Sequence, residues 1–352
     1  MSRRTVAGLL AFGLVVVLSI GAALVKVPYV RFQPGPTINV LGKFDDKQII
    51  AISGHKVYDD TGGLRMVTII PDGPTDDLSL IQVMTAWIDP NVAVLPKDAV
   101  YKPTQTSKQV QQQSAVEMTS SQDNATAAAL TALKIAYRVD VTVTGVDAKG
   151  PSAKLLKKGD VLTAVDGTRT ADAARLVAAI RSVTPGHEVR LTLRRGSASK
   201  VVTVSTVPAA DDKKASRVGV SIGQKFTYPF KVKVQLPETI GGPSAGMMFA
   251  LSIYDLLTPG SLTGGRSIAG SGEISADGVV SPIGGIGQKL VGAQRDGARL
   301  FLVAKENCAE AIRSHYDKDK LRLVKVHTLT DAIAAVDTWR KNPDAALPRC
   351  TG

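Results

Sequence analysis

The feature that most restricts the fold of this chain is one long apolar run close to its N-terminus. Residues 5–25 carry no charge, whereas Arg3 and Arg4 precede the run and Lys26 follows it. About 20 consecutive apolar residues can span a bilayer as a helix, and basic residues before such a span favour a cytoplasmic N-terminus. The sequence therefore predicts a single-pass cell-membrane anchor over residues 1–27, with the rest of the chain on the extracytoplasmic side.

A cleaved signal peptide is the alternative interpretation of the same segment. Gly21, Ala22 and Ala23 offer a small-residue cleavage site. The apolar run, however, exceeds the roughly 7–15 residues of a usual signal core, which favours the uncleaved anchor. Both interpretations place the body of the chain outside the cytoplasm.

The composition indicates a folded, basic, multidomain protein. The 352 residues suffice for two or three domains, and the net charge is +12. Lys and Arg are scattered and form no basic stripe interleaved with aromatic residues, so we expect no nucleic-acid partner. Cys308 and Cys350 lack the spacing of a metal site, and we expect neither metal nor cofactor. Whether these two cysteines pair as a disulfide stays open.

The middle of the chain has the element order of a PDZ domain. After strand-like runs that suggest a small β-rich module over residues 28–118, residues 119–210 show a leading helix, strands, a short helical turn, a second helix and a hairpin. The order resembles a PDZ domain, most specifically at residues 159–167. Such domains bind an extended peptide by adding it to a sheet edge. The usual apolar-Gly-apolar loop for a C-terminal carboxylate is not evident ahead of Val141, and a spacer domain is the alternative.

Residues 238–254 contain a candidate nucleophile. Pro243 suits the first turn of a helix, and an apolar helix is predicted over 245–257. Ser244 is therefore expected at the helix N-terminus, where backbone N–H groups have no intrahelical partner. We expect the N–H groups of Ser244 and Ala245 to stabilise the oxyanion that forms when a serine attacks a carbonyl.

Residues 268–290 contain a candidate base. The pattern predicts a strand, a turn at Asp277 and Gly278, a returning strand and a Gly-rich entry into a helix that carries Lys289. Small and apolar neighbours and the positive helix end would both lower the pKa of this lysine. A lysine that is neutral near pH 7 can accept the proton of a serine.

These segments resemble the proteolytic domain of Lon-type proteases. The matching blocks, in order, are residues 242–246, 270–274, 278–290 and 303–307. The resemblance implies an α/β (α+β) proteolytic domain over residues 216–340, with Ser244 as nucleophile, Lys289 as general base and Ser271 as a supporting residue that orients the lysine.

The whole arrangement resembles the membrane-anchored bacterial PDZ–Lon-type serine proteases. It implies an endopeptidase that cleaves protein or peptide substrates at the extracytoplasmic membrane face, and possible assembly into a homo-oligomer. The sequence has no GxxxxGK[ST] phosphate loop, so we expect proteolysis without ATP.

Two other functions fit parts of the sequence. Residues 242–246 match the G-x-S-x-G motif of serine–histidine hydrolases, for which His315 or His327 would be the base. That motif needs a strand directly before the serine, and residues 237–242 interrupt the preceding strand. The second alternative is a catalytically inactive, membrane-tethered PDZ scaffold that binds peptides.

Overall fold

The computed structural model describes residues 2–59, 61–170 and 172–351 and divides into two compact units. The first comprises Met1–Ile135 and Phe230–Gly352, and the second comprises Ala136–Pro229. Met1, the first residue of the predicted anchor, and Ala171, within the predicted PDZ domain, lie outside the described residues.

Helices and strands are numbered in chain order. The helices of the described residues are α1 (Arg3–Leu24), α2 (Leu80–Ile88), α3 (Lys97–Val100), α4 (Ser107–Ala132), α5 (Ala173–Arg181), α6 (Gly246–Leu256), α7 (Ile286–Arg295), α8 (Cys308–Arg313) and α9 (Leu329–Lys341). The strands are β1 (Lys26–Val27), β2 (Tyr29–Asn39), β3 (Lys43–Phe44), β4 (Lys47–Gln48), β5 (Ile50–Ser53), β6 (Gly63–Pro71), β7 (Leu78–Ser79), β8 (Ala93–Pro96), β9 (Arg138–Val146), β10 (Val161–Val165), β11 (Thr168–Arg169), β12 (Glu188–Arg195), β13 (Ala198–Ser205), β14 (Val207–Pro208), β15 (Ser216–Arg217), β16 (Val220–Thr227), β17 (Lys231–Val234), β18 (Ser267–Ser271), β19 (Glu273–Ile274), β20 (Val280–Ser281), β21 (Leu300–Ala304) and β22 (Arg322–Val326).

The first unit is built on a six-stranded sheet in the order β22-β21-β18-β6-β2-β8. The strands β22, β21, β18 and β6 run parallel, and β2 and β8 are antiparallel to their neighbours. Every residue of β21 is buried, as expected for a parallel strand covered on both faces. Because side chains alternate along a strand, consecutive residues of one strand lie on opposite faces of the sheet and contact different helices.

Helices α6 and α7 cover opposite faces of that sheet. A Cβ atom at Gly270 would lie 2.7 Å from the sulfur of Met248, which places α6 directly against this position. The next residue back, Ala269, packs instead with Ile286 and Leu290 of α7. Helix α6 is apolar almost all round and nearly fully buried, which is typical of a core helix.

Strands of the N-terminal region belong to this sheet, which differs from the separate module expected over residues 28–118. Strand β6 pairs in parallel with β18, in register from Gly63 with Ser267 to Met66 with Gly270. The pairing joins residues about 200 positions apart in sequence, a separation that a local pattern does not reveal. The PDZ-like segment is accordingly inserted in this α/β unit and does not precede it.

Helix α4 begins earlier than the sequence predicts. From the sequence, a leading helix is expected only within residues 119–210. In the structure the side chains of Thr106 and Gln109 form a reciprocal capping box that starts the helix at Ser107. The Ala-rich half of α4 is buried and packs along α6, so this helix belongs to the first unit.

The second unit is an antiparallel sheet covered by α5, with strand order β13-β12-β10-β9-β16. Its core comprises apolar residues of these strands and of α5. The bounds, Ala136–Pro229, differ from the predicted 119–210, and the first unit resumes at Phe230 and not at residue 216. The reason is β16, which pairs with β9 along its whole length, from Arg138 with Thr227 to Val146 with Val220.

A disulfide joins Cys308, at the start of α8, to Cys350 near the C-terminus. The two cysteines are 42 residues apart in sequence. Replacing both with serine should lower the free energy of unfolding by about 4 kcal/mol, because the unfolded chain regains the entropy of an open loop. Urea denaturation of the wild type and the double variant measures the difference. Reduced wild type should match the double variant, and equal midpoints for oxidised wild type and double variant would contradict the expectation.

Candidate active site

Ser244 lies in a tight turn immediately before α6. The turn is held by α4: the N–H of Gly242 donates to the carbonyl of Ser114 (2.9 Å), and the Ser121 hydroxyl donates to the carbonyl of Pro243 (2.9 Å). Ala245 is the N-cap of α6, so Ser244 is at the helix N-terminus as predicted. Pro243, expected inside the first helical turn, precedes the helix because its carbonyl closes a turn with Gly246 N–H (3.2 Å).

Gly246 allows three elements to meet at this turn. A Cβ atom at this position would lie 2.8 Å from the Ser121 hydroxyl oxygen on α4 and 2.9 Å from Ile274 Cγ2 on β19. A glycine is needed for such a close approach of neighbouring elements. Any larger residue would push α4 or β19 away from the turn that carries Ser244.

The end of β18 is bonded to the same turn. The N–H of Gly272 donates to the carbonyl of Ser244 (3.0 Å), and the N–H of Met247 donates to the carbonyl of Gly272 (3.1 Å). The hydroxyl of Ser271 also donates to the Ser244 carbonyl (3.0 Å). These bonds fix the position of Ser244 relative to the sheet, within a β18–turn–β20 arrangement that matches the predicted strand, turn and returning strand.

Lys289 projects from α7 into the interior beside Ser271. The helix begins after Gly285, whose positive φ of 69° suits glycine. The segment before the helix is fixed by Asn307, whose side-chain amide accepts a hydrogen bond from the N–H of Ile283 and donates one to its carbonyl. Only 2% of Lys289 is exposed, and its ammonium nitrogen Nζ donates to Ser271 Oγ (2.9 Å). The structure therefore brings Ser271 into contact with both Lys289 and the Ser244 backbone.

Burial lowers the pKa of Lys289 to about 7, because the charged amine is removed from water. The carboxylate of Glu273 acts in the opposite direction and favours the charged amine. The pKa of Glu273 is itself raised, first by burial and then by Glu117 on α4. A lysine with this pKa is partly neutral at neutral pH, which is the state required of a general base.

The side chains of Ser244 and Lys289 face the same groove. Within the described part of the chain, no hydrogen bond joins Ser244 Oγ to Lys289 Nζ; the link runs through Ser271 and the Ser244 carbonyl. Because the Ser271 hydroxyl donates its hydrogen to that carbonyl, Ser271 Oγ acts as the acceptor of the hydrogen bond from Lys289 Nζ. This arrangement leaves the lone pair of a neutral amine available for another donor.

The backbone N–H groups of Ser244 and Ala245 have no acceptor among the hydrogen bonds of residues 2–59, 61–170 and 172–351. Their free state matches the requirement of an oxyanion hole, which needs donors that are unoccupied before the reaction. The next two N–H groups, of Gly246 and Met247, are used by Pro243 and Gly272.

A groove of about 860 Å³ passes over Ser244 and Lys289. Its walls are the turn before α6, the N-terminal half of α4 and the second half of β6. Strand β18 pairs with β6 only as far as Met66, whereas β2 pairs with β6 as far as Pro71. Among the described strands none pairs with the second edge of Val67–Pro71, and this segment lines the groove.

Three contributors to this site were not predicted from the sequence. Glu273, α4 and the edge of β6 all line the groove, and two of them come from regions that were assigned to other domains. The small residues of α4 at Ser114, Ser121 and Ala125 recur at helical spacing, which is a signal for close approach of another element. His315 and His327, the bases of the alternative hydrolase, are exposed and are not among the residues of the groove.

The second unit has its own groove of about 470 Å³, between α5 and β16. One wall is apolar and comes from α5, with Leu176, Val177 and Ile180. The other wall is β16, the last strand in the sheet order. The loop before β16 reads Val218-Gly219-Val220, an apolar-Gly-apolar sequence at one end of the groove. This loop comes after the other strands of the unit in the chain. It is therefore absent ahead of Val141, where such a loop is expected from the sequence.

Comparison with known families matches residues 110–206 to the PDZ domain. The match begins inside α4, whereas the compact unit begins at Ala136. The chain also resembles the PDZ domains of SdrC-like proteins from Listeria monocytogenes (20% identity, 23% of this chain, 85% of that chain, TM-score 0.22) and Listeria innocua (24% identity, 24% of this chain, 92% of that chain, TM-score 0.22).

Among curated proteins, the chain is similar to Lon proteases. It is 35% identical over 125 residues to a Lon protease of Porphyromonas gingivalis, covering 35% of this chain and 14% of the relative. It is 34% identical over 115 residues to Lon protease 2 of Herpetosiphon aurantiacus, covering 32% of this chain and 14% of the relative. The chain thus spans about one seventh of these relatives. It contains a PDZ domain, which binds peptides or proteins, and the partial similarity indicates a protease-related PDZ protein.

Proposed function

We propose that this chain is an ATP-independent serine endopeptidase of the Lon type, anchored in the cell membrane by α1, with its catalytic groove on the extracytoplasmic side. Ser244 is the nucleophile, Lys289 the general base and Ser271 the residue that positions the lysine. The observation that carries the proposal is the lysine: a buried amine with a pKa of about 7, hydrogen-bonded to a serine that also holds the backbone of Ser244.

The reaction follows from these positions. Neutral Lys289 accepts the Ser244 hydroxyl proton as Oγ attacks the peptide carbonyl, and the free N–H groups of Ser244 and Ala245 stabilise the oxyanion. Protonated Lys289 returns the proton to the leaving amine, which yields an acyl-enzyme. A water molecule, deprotonated by the same lysine, then releases the acyl group. Ser271 keeps the amine oriented because its hydroxyl oxygen accepts a hydrogen bond from one N–H of Lys289 Nζ.

The groove suits an extended polypeptide. The open edge of Val67–Pro71 offers backbone N–H and C=O groups to a strand laid beside it, which is the way that sheet edges bind peptides. A substrate bound in this way passes Ser244 at the other wall of the groove. The PDZ domain supplies a second peptide-binding groove, in which the Val218–Val220 loop receives a C-terminal carboxylate.

Two features support the proposed location. Helix α1 has 22 residues and no buried side chain, and its length and hydropathy suit a membrane span or a signal sequence. The Cys308–Cys350 disulfide is typical of oxidising compartments, which lie outside the cytoplasm.

The pH dependence of Ser244 acylation tests the proposal. A peptidyl β-lactone should acylate Ser244, and the rate should rise about tenfold per pH unit below pH 7 and level off above it, because only the neutral Lys289 amine accepts the serine proton. Mass spectrometry of the modified peptide, sampled over time between pH 5.5 and 9, gives the rate.

Two variants sharpen this measurement. In Glu273→Gln the inflection of the acylation rate against pH should move below pH 7, because the carboxylate that favours the charged amine of Lys289 has been removed. Ser275→Ala, which removes a hydroxyl on the β19–β20 turn, is the matched control and should keep the wild-type profile. Acylation that is independent of pH, or that falls on another serine, would remove Lys289 from the proposed role.

A further inference from the structure

Helix α2 exposes a dense apolar surface. Four of its nine residues are large apolar side chains open to solvent: Ile81 (37% exposed), Met84 (49%), Trp87 (58%) and Ile88 (82%). Contiguous exposed apolar side chains on a folded protein mark a contact with a partner or a membrane. We call these four residues the α2 face.

The α2 face is held outward by the rest of the helix. Val83 and Ala86 are buried on the inner side, and Ser79 and Gln82 form a capping box that fixes the start of the helix. Trp87 packs edge-on against Tyr29 of β2, with ring centroids 5.7 Å apart. The exposure of Trp87 is therefore a property of an ordered helix.

The start of α2 is bonded to the end of α1. The N–H of Leu80 donates to the carbonyl of Val25 (2.9 Å), and Lys26 pairs with Ser79 in a short two-stranded sheet. At 1.5 Å per residue, α1 is about 33 Å long, close to the roughly 30 Å of a bilayer hydrocarbon core. If α1 spans the membrane, the first residue of α2 lies where the chain leaves it.

We propose that the α2 face docks into the interface of the bilayer that α1 spans, with Trp87 at headgroup depth. The proposal rests on the membrane anchor of the proposed function. The apolar surface is continuous with the span, because it begins at Ile81, one residue after Leu80, whose N–H is bonded to the carbonyl at the end of α1. Tryptophan is enriched at this depth because its ring has an apolar body and a polar N–H.

Docking of α2 extends the proposed function because it fixes the distance between the catalytic groove and the surface of the bilayer. Strand β1 leads directly into β2, and Phe32 of β2 pairs with Pro71, at the groove end of β6. From Val27 to Phe32 the extended chain covers at most roughly 17 Å at 3.3 Å per residue. The end of the groove at Pro71 then lies near the membrane surface, which makes polypeptides tethered to the same membrane the substrate class.

The two tryptophans of the chain make the docking measurable. In the full chain carrying Ser244→Ala and Trp339→Phe, Trp87 is the sole tryptophan. In phosphatidylcholine vesicles, lipids brominated near the headgroup end of the acyl chain should reduce its emission at least twofold. Lipids brominated near the chain terminus should quench less, and aqueous iodide should quench weakly. Replacing Met84 and Ile88 with serine should reverse this pattern.

The matched control carries Trp87→Phe and keeps Trp339, which is 5% exposed and lies beneath Arg266. Neither quencher should change its emission appreciably. Strong iodide quenching of Trp87 without bromolipid quenching would overturn the proposal. Protection of Trp87 from iodide that appears only when a nanodisc contains two chains would also overturn the proposal, because a second copy of the chain would then cover α2. None of these readouts needs catalysis, so a failure of Ser244 acylation is distinguishable from a failure of docking.

Discussion

Replacing Ser244 with alanine should lower the rate of peptide cleavage by the full chain by about 10⁴-fold or more, because the acyl-enzyme of the proposed mechanism forms on its hydroxyl. The fold should be unaffected: the contacts that place residue 244 are made by its backbone carbonyl, which alanine retains. The measurement is the cleavage of a fluorogenic peptide by wild type and variant in nanodiscs, with far-UV circular dichroism as the check on folding.

Ser275→Ala is the control for this loss and should leave the cleavage rate within about twofold of wild type, as expected for a substitution away from the reacting atoms. The inactive-scaffold alternative makes a different prediction, namely that wild type and Ser244→Ala have the same negligible rate while both bind a peptide at the PDZ groove. Unchanged cleavage by Ser244→Ala relative to an active wild type would show that another residue is the nucleophile.

Short-range patterns predicted the local elements of the candidate site. The Gly-Pro-Ser-Ala-Gly turn, the strand that ends at Ser271 and the helix that carries Lys289 are each specified within about ten residues, by glycines, an Asp-Gly turn and apolar periodicity. The structure has each of these elements. The low pKa of Lys289 was also expected from its apolar neighbours, and burial is its main cause.

Long-range pairing could not be predicted in the same way. Strand β6 has the apolar composition of many strands, and nothing in its own sequence selects β18 as its partner. The same holds for β16, whose pairing with β9 moved the end of the second unit from residue 210 to Pro229. Because Arg138 pairs with Thr227, both ends of this unit lie side by side, which is what an insertion into another domain requires.

Helix α4 differs from the sequence prediction for another reason. Its first half is polar and has little helical amphipathicity, so composition favours a loop. The Thr106–Gln109 capping box, together with Ser114 and Ser121 bonded to the turn of Ser244, stabilises the helix at the position where it forms the groove wall. A tertiary role therefore outweighs a weak local preference.

Replacing Lys289 with methionine should abolish cleavage and at the same time stabilise the fold. Burial lowers the pKa of Lys289 from 10.5 to about 7 in the folded state. Between pH 7 and pH 10.5, therefore, the lysine of the unfolded chain is protonated and the lysine of the folded chain is mostly neutral. The free energy of unfolding thus falls as pH decreases from 10.5 to 7, and at pH 7 the loss is about 4 kcal/mol. Methionine has a similar length and no charge, but it leaves Ser271 without its donor, at a cost of about 1 kcal/mol.

At pH 7 the free energy of unfolding of Lys289→Met should exceed that of wild type by about 3 kcal/mol. The difference should shrink as pH approaches 10.5. Urea denaturation of both proteins at pH 7, 8.5 and 10 measures it. Lys305→Met, at an exposed lysine, is the control and should alter neither stability nor cleavage. A stability difference that stays constant between pH 7 and 10 would mean that Lys289 is charged in the folded protein. Such a lysine could not accept the Ser244 proton, because a general base must be neutral before the reaction.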